Sequence, residues 1–508
     1  MNNVRFQPLI YAILIITGIL LGKINNVDSH INNEDNSKIN NILNLIKDHY
    51  VDTINNFDFE EKTVNAILNE LDPHSSYIST KKIQSIEEDM QGSFSGIGVE
   101  FNIIEDSIVV ISAISGGPSK KLGIRSGDRI IKVEEENVAG IEIKNEGVIK
   151  RLRGEKGSIV NISIKRRGEK NIIYFSIKRD DIPLYSVDTG IMLEDNIGYI
   201  KISRFAATTY NEMMKKVEFL QNKGMSKLIL DLRGNPGGYL QIANQICDEF
   251  LKNGELIVFT EGRNRKREET FATQNGQLEN LKIIALINEG SASASEIVAG
   301  ALQDNDRGII IGRRSFGKGL VQEQISLKDG SALRLTTQRY YTPSGRCIQK
   351  DYKVNKDDYY LEQYTRNGKF DYPDSLKYTT KNGRTVYGGG GINPDIIVKR
   401  DSSLNFLFIN QMISKGWVNT YCFEKSELLQ TKNINNYNQI NINNIYKSFL
   451  RFAKQKDKEF KIKLGEKETK YFKNLLLATI ARNLWGNDTY HEILIQEDDF
   501  ILKAKYSF

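Results

Sequence analysis

The chain is poor in the residues that build most metal sites and disulfide frameworks. Its 508 residues include three cysteines, Cys247, Cys347 and Cys422, and four histidines, His30, His49, His74 and His491. The cysteines lie too far apart for a disulfide framework or a CxxC metal site, and four histidines leave little material for zinc. Only 8 prolines occur, and 40% hydrophobic with 26% charged residues is the composition of folded domains rather than of a disordered or fibrous chain. A strong charge of one sign is also missing. The formal charge of +6 argues neither for nor against nucleic acid. No internal repeat is visible. At roughly 100 to 200 residues per domain the length implies about three domains, more than one hydrophobic core serves.

What is present begins with Arg5 and an uncharged apolar run over residues 9–22, the length of a signal-peptide core. No Ala-x-Ala follows Leu21 and no cysteine stands there to take a lipid. Residues 1–24 therefore read equally as a cleaved signal or as a short membrane anchor. The remainder is expected to face an extracytoplasmic space. From 38 to 89, Ile42, Leu43, Ile46, Val64, Ile67, Leu68 and Leu71 recur at three-and-four spacing, the mark of amphipathic helices. Residues 97–101, 108–114, 130–133, 160–164 and 172–177 are short β-like runs around a helical stretch, 143–152, and define a mostly β domain of about ninety residues. After Asp181 strands (197–202, 227–232, 256–259, 281–287, 308–311) alternate with helices (210–222, 239–251, 294–303), a layered α/β pattern. Helical periodicity returns beyond Arg400 without a chemistry-bearing motif.

Strand 281–287 runs into Gly290-Ser291-Ala292-Ser293-Ala294-Ser295-Glu296 and an apolar helix. Small residues at a strand-to-helix turn can expose a hydroxyl where unpaired N–H groups receive developing negative charge. Helix capping by Ser293 or Ser295 is the plainer alternative, and the three serines are not separable by sequence physics. Twenty-five residues later Lys318 lies between Gly317 and Gly319. A lysine of ordinary pKa is neutral in only about one copy in 2,500 at pH 7, so a basic role needs a depression of roughly three, about 4 kcal/mol, which burial can supply. Gly312, Gly317 and Lys318 also fit part of a phosphate loop, but Gly319 replaces the hydroxyl that would meet magnesium, and a strand follows instead of a helix. Oxyanion donors are expected from the Ala294 N–H and from the Gly237-Gly238 turn, where glycine lets backbone approach a substrate closely.

Together the segments 290–304 and 315–319 resemble the carboxyl-terminal processing, or tail-specific, proteases of peptidase family S41. Leu71-Asp72-Pro73-His74-Ser75-Ser76-Tyr77, Asp231-Leu232-Arg233-Gly234-Asn235-Pro236-Gly237-Gly238, Tyr340-Tyr341-Thr342-Pro343-Ser344-Gly345-Arg346 and 388–394 agree with it, so the resemblance spans about residues 38–399. It implies the middle serine, Ser293, as nucleophile, Lys318 as general base, and Gln322 as the residue that orients the amine. Four residues on a straight strand span about 13 Å, so Gln322 reaches the amine only if the chain bends near Gly319. Asp304, eleven residues beyond Ser293 and ~16 Å along a helix axis, is expected to be structural, as is His74. Arg153 resembles a position that couples the β domain to the active site in some relatives. The basic stretch 263–267 reads as an exposed loop.

Gly96-Ile97-Gly98-Val99 followed by Glu100-Phe101, with 123–133 as a second signature, looks like a PDZ domain. Successive N–H groups in such a loop cradle a terminal carboxylate, and an extended peptide adds a strand beside residues 99–101. The fold so implied is multidomain α/β (α+β): a crotonase/ClpP-like layered protease core with an inserted PDZ-like β domain and helical N- and C-terminal regions. The expected divisions are 1–24 signal or anchor, 36–84 helical segment, 85–182 PDZ-like domain, 183–400 protease core and 401–508 helical region. The implied activity is a serine endopeptidase of the cell envelope that cuts near the carboxy-termini of exported proteins through a Ser-Lys dyad and an acyl-enzyme. No metal or organic cofactor and no nucleic acid is expected. The partners are protein or peptide substrates with free carboxy-termini, and a membrane through residues 9–22 if the first segment is kept. Assembly differs among such relatives, which leaves homo-oligomerisation open. The rival class is a non-catalytic PDZ scaffold that holds protein C-termini.

Overall fold

A computed structural model describes residues 38–508 apart from 115, 354, 366–372, 402–405, 433, 461–463 and the side chains of 56 and 57. The expected signal or anchor, residues 1–24, lies outside the described residues. The chain divides into two units, Met1–Glu70 and Leu71–Phe508. In the first, helices Lys38–His49 and Asn56–Asn69 follow the three-and-four apolar spacing, and a Lys47–Glu60 ion pair of 3.0 Å joins them.

The second unit opens its β domain as an antiparallel sheet in the order Val99–Ile104, Ser107–Ala113, Arg129–Val133, Ile159–Lys165, Ile173–Lys178. Period-two alternation sends Val160, Ile162 and Ile164 inward to Ile108, Val110 and Ile130, and helix Asn145–Leu152 adds Val148 and Leu152. Val99–Ile104 is an edge strand, so one side of it is open to a further strand.

The α/β core of this unit is built on a six-stranded sheet ordered Val187–Met192, Ile197–Ile202, Lys227–Asp231, Lys282–Ile287, Ile309–Gly312, Ile396–Ile397; all pairs after the first are parallel. Parallel strands are covered on both faces and read as continuous apolar runs. Leu228, Leu230, Ile283, Ala285 and Ile287 face one way, into a core shared with helices Thr209–Gln221, Leu240–Phe250 and Ala294–Asp304. Ile229, Ile284 and Leu286 face the other way, onto Ile495, Phe500, Ile501 and Ala504. The carboxy-terminal region, for which the sequence offered no role, thus supplies the layer that closes the second face. Asp498 extends that contact by an ion pair of 2.8 Å to Arg233.

A second sheet carries Ser76–Ile78, Ala332–Tyr341, Leu256–Gly262 and Arg265–Phe271, with Leu320–Ser326 also paired to Ala332–Tyr341. The basic stretch 263–267 is the expected loop only at Arg263 and Asn264, which form the turn of a hairpin; from Arg265 on it is strand. Arg265–Phe271 is an edge strand paired to Leu256–Gly262 with its side chains mostly exposed; Arg265 pairs with Glu323, and Arg267 with Glu269 of the same strand. Charged pairs replace the apolar alternation that would have marked it.

Phe500 lies under the guanidinium of Arg233 at 4.5 Å and of Arg313 at 4.9 Å and is 8% exposed. Phe500→Ala is expected to destabilise the second unit by about 3–5 kcal/mol, read by calorimetry as a lower Tm. An unchanged Tm would contradict the packing of this region on the sheet.

Candidate active site

Strand Lys282–Ile287 and helix Ala294–Asp304 are joined by a turn held from below. The Ala292 N–H and the Ser295 hydroxyl both donate to the Asn235 carbonyl, at 2.9 Å each, and the Ser291 hydroxyl donates to the Leu232 carbonyl at 2.8 Å. Ser291 and Ser295 are fully buried and committed to these carbonyls. Ser293 differs from both. It is half-buried, its hydroxyl donates to no acceptor among the described residues, and its backbone has φ 56° and ψ −114°. A non-glycine residue there costs of order 1–3 kcal/mol and persists only where its surroundings fix it.

The loop after strand Lys227–Asp231 lies against this turn. Gly237, at φ 101°, allows no side chain: a Cβ would stand 2.8 Å from the Ser293 Cβ and 3.0 Å from the Ala294 nitrogen. A Cβ on Gly238 would meet the Phe205 carbonyl oxygen at 2.1 Å. The expectation that either glycine could donate needs correcting. The Gly237 N–H is already given to Asn235 Oδ1 at 2.9 Å, because the asparagine side chain folds under its own turn. Gly238 and Ala294 keep N–H groups without partners among the described residues.

Lys318 sits in the loop ahead of strand Leu320–Ser326. Its Nζ donates to Gln322 Oε1 at 2.9 Å. The distance expected of a straight strand is avoided because Lys318 precedes the strand and the pairing register shifts between Val321 and Gln322. Gly317 at φ 93° and Gly319 admit Lys350, Gly391 and Gln349 to within about 3 Å of where a Cβ would stand. Burial pushes the Lys318 amine down to about 8, Arg334 adds repulsion, and Glu296 and Asp72 work against the shift. At pH 7.5 that leaves about one copy in four neutral, against about one in a thousand at 10.5.

Glu296, the third residue of the helix, is fully buried and binds both segments. Its Oε2 accepts the N–H of Ser293 at 2.8 Å and of Lys318 at 2.9 Å, while Oε1 accepts the Ser315 hydroxyl at 2.5 Å and the Gly317 N–H at 2.7 Å. Burial raises its pKa to about 7 against these four bonds, which favour the charged form. Sequence reasoning missed this role, although Ser293-x-x-Glu296 has capping-box spacing.

A family model described as Peptidase family S41 matches residues 196–359, and one described as PDZ domain matches residues 95–177. The carboxy-terminal-processing protease of Bartonella bacilliformis is 39% identical over 328 residues, covering 63% of this chain and 74% of that protein. The chain belongs to peptidase family S41. Carboxy-terminal processing protease CtpA of Bacillus subtilis is 33% identical to it over 405 residues, 78% of this chain and 83% of that one. The solved photosystem II D1 C-terminal processing protease covers 72% of it at 23% identity and TM-score 0.38, with 88% of that chain matched. This S41 member is a serine-type peptidase with a PDZ domain.

In this S41 peptidase His74 is held by Tyr359, with 2.9 Å between Nε2 and the hydroxyl, and burial, reinforced by Lys318, lowers its pKa to about 3. Asp304 pairs with Arg346 at 2.6 Å, both side chains fully buried. Arg153 pairs with Glu88 and lies 4.1 Å over the Phe94 ring. In the PDZ loop, Gly96 ends strand Ser93–Gly96, and the carbonyls of Ile97 and Gly98 accept from Ser119 and Ile114. The N–H groups of Ile97 and Gly98 are unpartnered among the described residues, directly before the open edge that starts at Val99.

Glu296→Gln replaces one acceptor oxygen by a donor facing N–H groups. It is expected to cost about 2–5 kcal/mol and to lower peptidase activity at least about 100-fold, read by thermal melts and by peptide hydrolysis. Wild-type activity in a folded variant would contradict the clamping role.

Proposed function

We propose that this peptidase cleaves peptide bonds near the free carboxy-termini of exported proteins, with Ser293 as nucleophile and Lys318 as general base. The observation that carries this is the Lys318 amine, held by the oxygen of an amide instead of a carboxylate and brought down to about 8 by burial. Neutral Lys318 takes the Ser293 hydroxyl proton as the oxygen attacks the scissile carbonyl. The N–H groups of Ala294 and Gly238 receive the charge on the tetrahedral intermediate. Lys318 then returns the proton to the leaving amine, an acyl-enzyme remains on Ser293, and the same amine activates water to release it. Gln322 orients the amine through Oε1, so that its lone pair turns toward the serine.

Selection of the substrate falls to the PDZ domain. Its loop Gly96-Ile97-Gly98-Val99 offers N–H groups to a terminal carboxylate, and the edge strand Val99–Ile104 takes the tail as an added strand. The apolar run of residues 9–22 supports a place in the cell envelope, with the rest of the chain on the extracytoplasmic side.

Ser293→Ala and Lys318→Ala are each expected to reduce hydrolysis of an unstructured peptide with an apolar tail by at least about 1,000-fold. Full activity in either folded variant would end the dyad. Amidation of the same peptide's terminal carboxyl is expected to raise KM at least about tenfold with little change in kcat; equal KM values for the free and amidated forms would remove the carboxylate-capture role.

A further inference from the structure

Glu296 joins the N–H groups of Ser293 and Lys318, and the carbonyl groups of the same two residues meet at a second side chain. The Tyr340 hydroxyl lies 2.7 Å from the Lys318 carbonyl oxygen and 3.2 Å from that of Ser293. Tyr340 is 1% exposed and belongs to strand Ala332–Tyr341 of the second sheet, whereas Ser293 stands at the start of helix Ala294–Asp304, in the turn that follows strand Lys282–Ile287 of the first. Its own N–H donates to the Gly319 carbonyl at 3.0 Å, so its backbone and its side chain grip the lysine loop on either side of one peptide unit.

The chemistry of the group fits this placement. A phenol has one proton and two lone pairs, and here both neighbours are carbonyl oxygens, so its single proton is shared between them in a three-centre bond, with the shorter leg to Lys318. Burial raises its pKa well above the ordinary value, which keeps the proton in place across the working range. A buried hydroxyl shared by two carbonyls of separate segments sets their separation. The two loops leave adjacent parallel strands of one sheet, Lys282–Ile287 and Ile309–Gly312, and Glu296 joins their N–H groups; the Tyr340 hydroxyl meets their carbonyls.

We infer that Tyr340 is a positioning residue for the reaction: its hydroxyl, donated between the Ser293 and Lys318 carbonyls, fixes the distance between nucleophile and base. This rests on the Ser293–Lys318 dyad proposed above. The hydroxyl touches neither substrate nor reacting atoms and acts through the two backbones. A displacement on the order of 1 Å at a reacting pair costs up to about 100-fold in rate.

The test compares wild type, Tyr340→Phe, the enzyme with 4-aminophenylalanine in place of Tyr340, and Lys318→Ala, on one unstructured peptide with a free apolar tail. Tyr340→Phe keeps the ring and is expected to lower kcat about 10- to 100-fold with KM within about threefold of wild type. The amino group carries two N–H donors for the two carbonyls, and is expected to restore kcat to within about threefold of wild type. A structural role of the ring alone would leave the phenylalanine and aminophenylalanine enzymes alike. Equal kcat values in those two, or wild-type kcat in Tyr340→Phe while Lys318→Ala is inactive, overturns the inference and leaves the dyad standing. Wild-type activity in Lys318→Ala overturns the dyad and this inference with it. Calorimetry of each variant, with assays run below its Tm, keeps loss of folding apart from loss of rate.

Discussion

The proposed base, Lys318, has to give up its charge at neutral pH, and that requirement sets the terms for what is built around it. Burial does most of the work, and Arg334 adds repulsion. The two carboxylates that could undo the effect by ion pairing are both occupied by other donors. Glu296 gives its oxygens to the Ser293, Gly317 and Lys318 amides and the Ser315 hydroxyl. Asp72 gives its own to the His74 and Ser75 amides and the Ser75 hydroxyl. What remains for the amine is Gln322 Oε1, a neutral acceptor that holds it without fixing its charge.

The same economy governs the serine. Its backbone stays at positive φ because Asn235 accepts from the residue before it and from the hydroxyl two residues after it, while Glu296 holds its N–H. Asn235 stands in the loop that follows Asp231, and that loop is anchored from the far side of the sheet. Arg233 binds Asp231 at 2.6 Å and Asp498 of the carboxy-terminal region at 2.8 Å, and stacks over Phe500. The layer that closes the sheet therefore also braces the turn that carries Gly237 and Gly238. Elsewhere the carboxy-terminal region meets the PDZ domain, where Phe423 packs on Ile104, Val109 and Ile111. Packing, strain and chemistry share one set of contacts.

Much of the fold was legible because buried parallel strands read as short continuous apolar runs: residues 281–287 were expected as a strand, and Lys282–Ile287 is one. The strand Arg265–Phe271 was not, because its side chains face water and carry charge. The packing of Ile495, Phe500 and Ile501 was out of reach as well, since amphipathic spacing shows that a helix has an apolar face and not what covers it. At the site, residue types were legible and commitments were not. Nothing in Ser-Ala-Ser-Ala-Ser reveals that Ser291 and Ser295 spend their hydroxyls on carbonyls while Ser293 does not. Nothing in Asn-Pro-Gly-Gly reveals that Gly237 gives its N–H to Asn235. Tyr340 lies forty-seven residues from Ser293, and no local signal links the two.

The direct test is the protonation of one nitrogen. With lysine labelled with ¹³C at Cε, and Lys318→Arg used to assign the resonance, the Lys318 signal of the folded enzyme is followed by NMR from pH 6 to 11 without substrate. A midpoint near 8 is expected, with the neutral amine gaining population as pH rises through it. A midpoint at about 10 or above, the ordinary lysine range, would mean that burial does not discharge the amine, and the assignment of Lys318 as the base would fall.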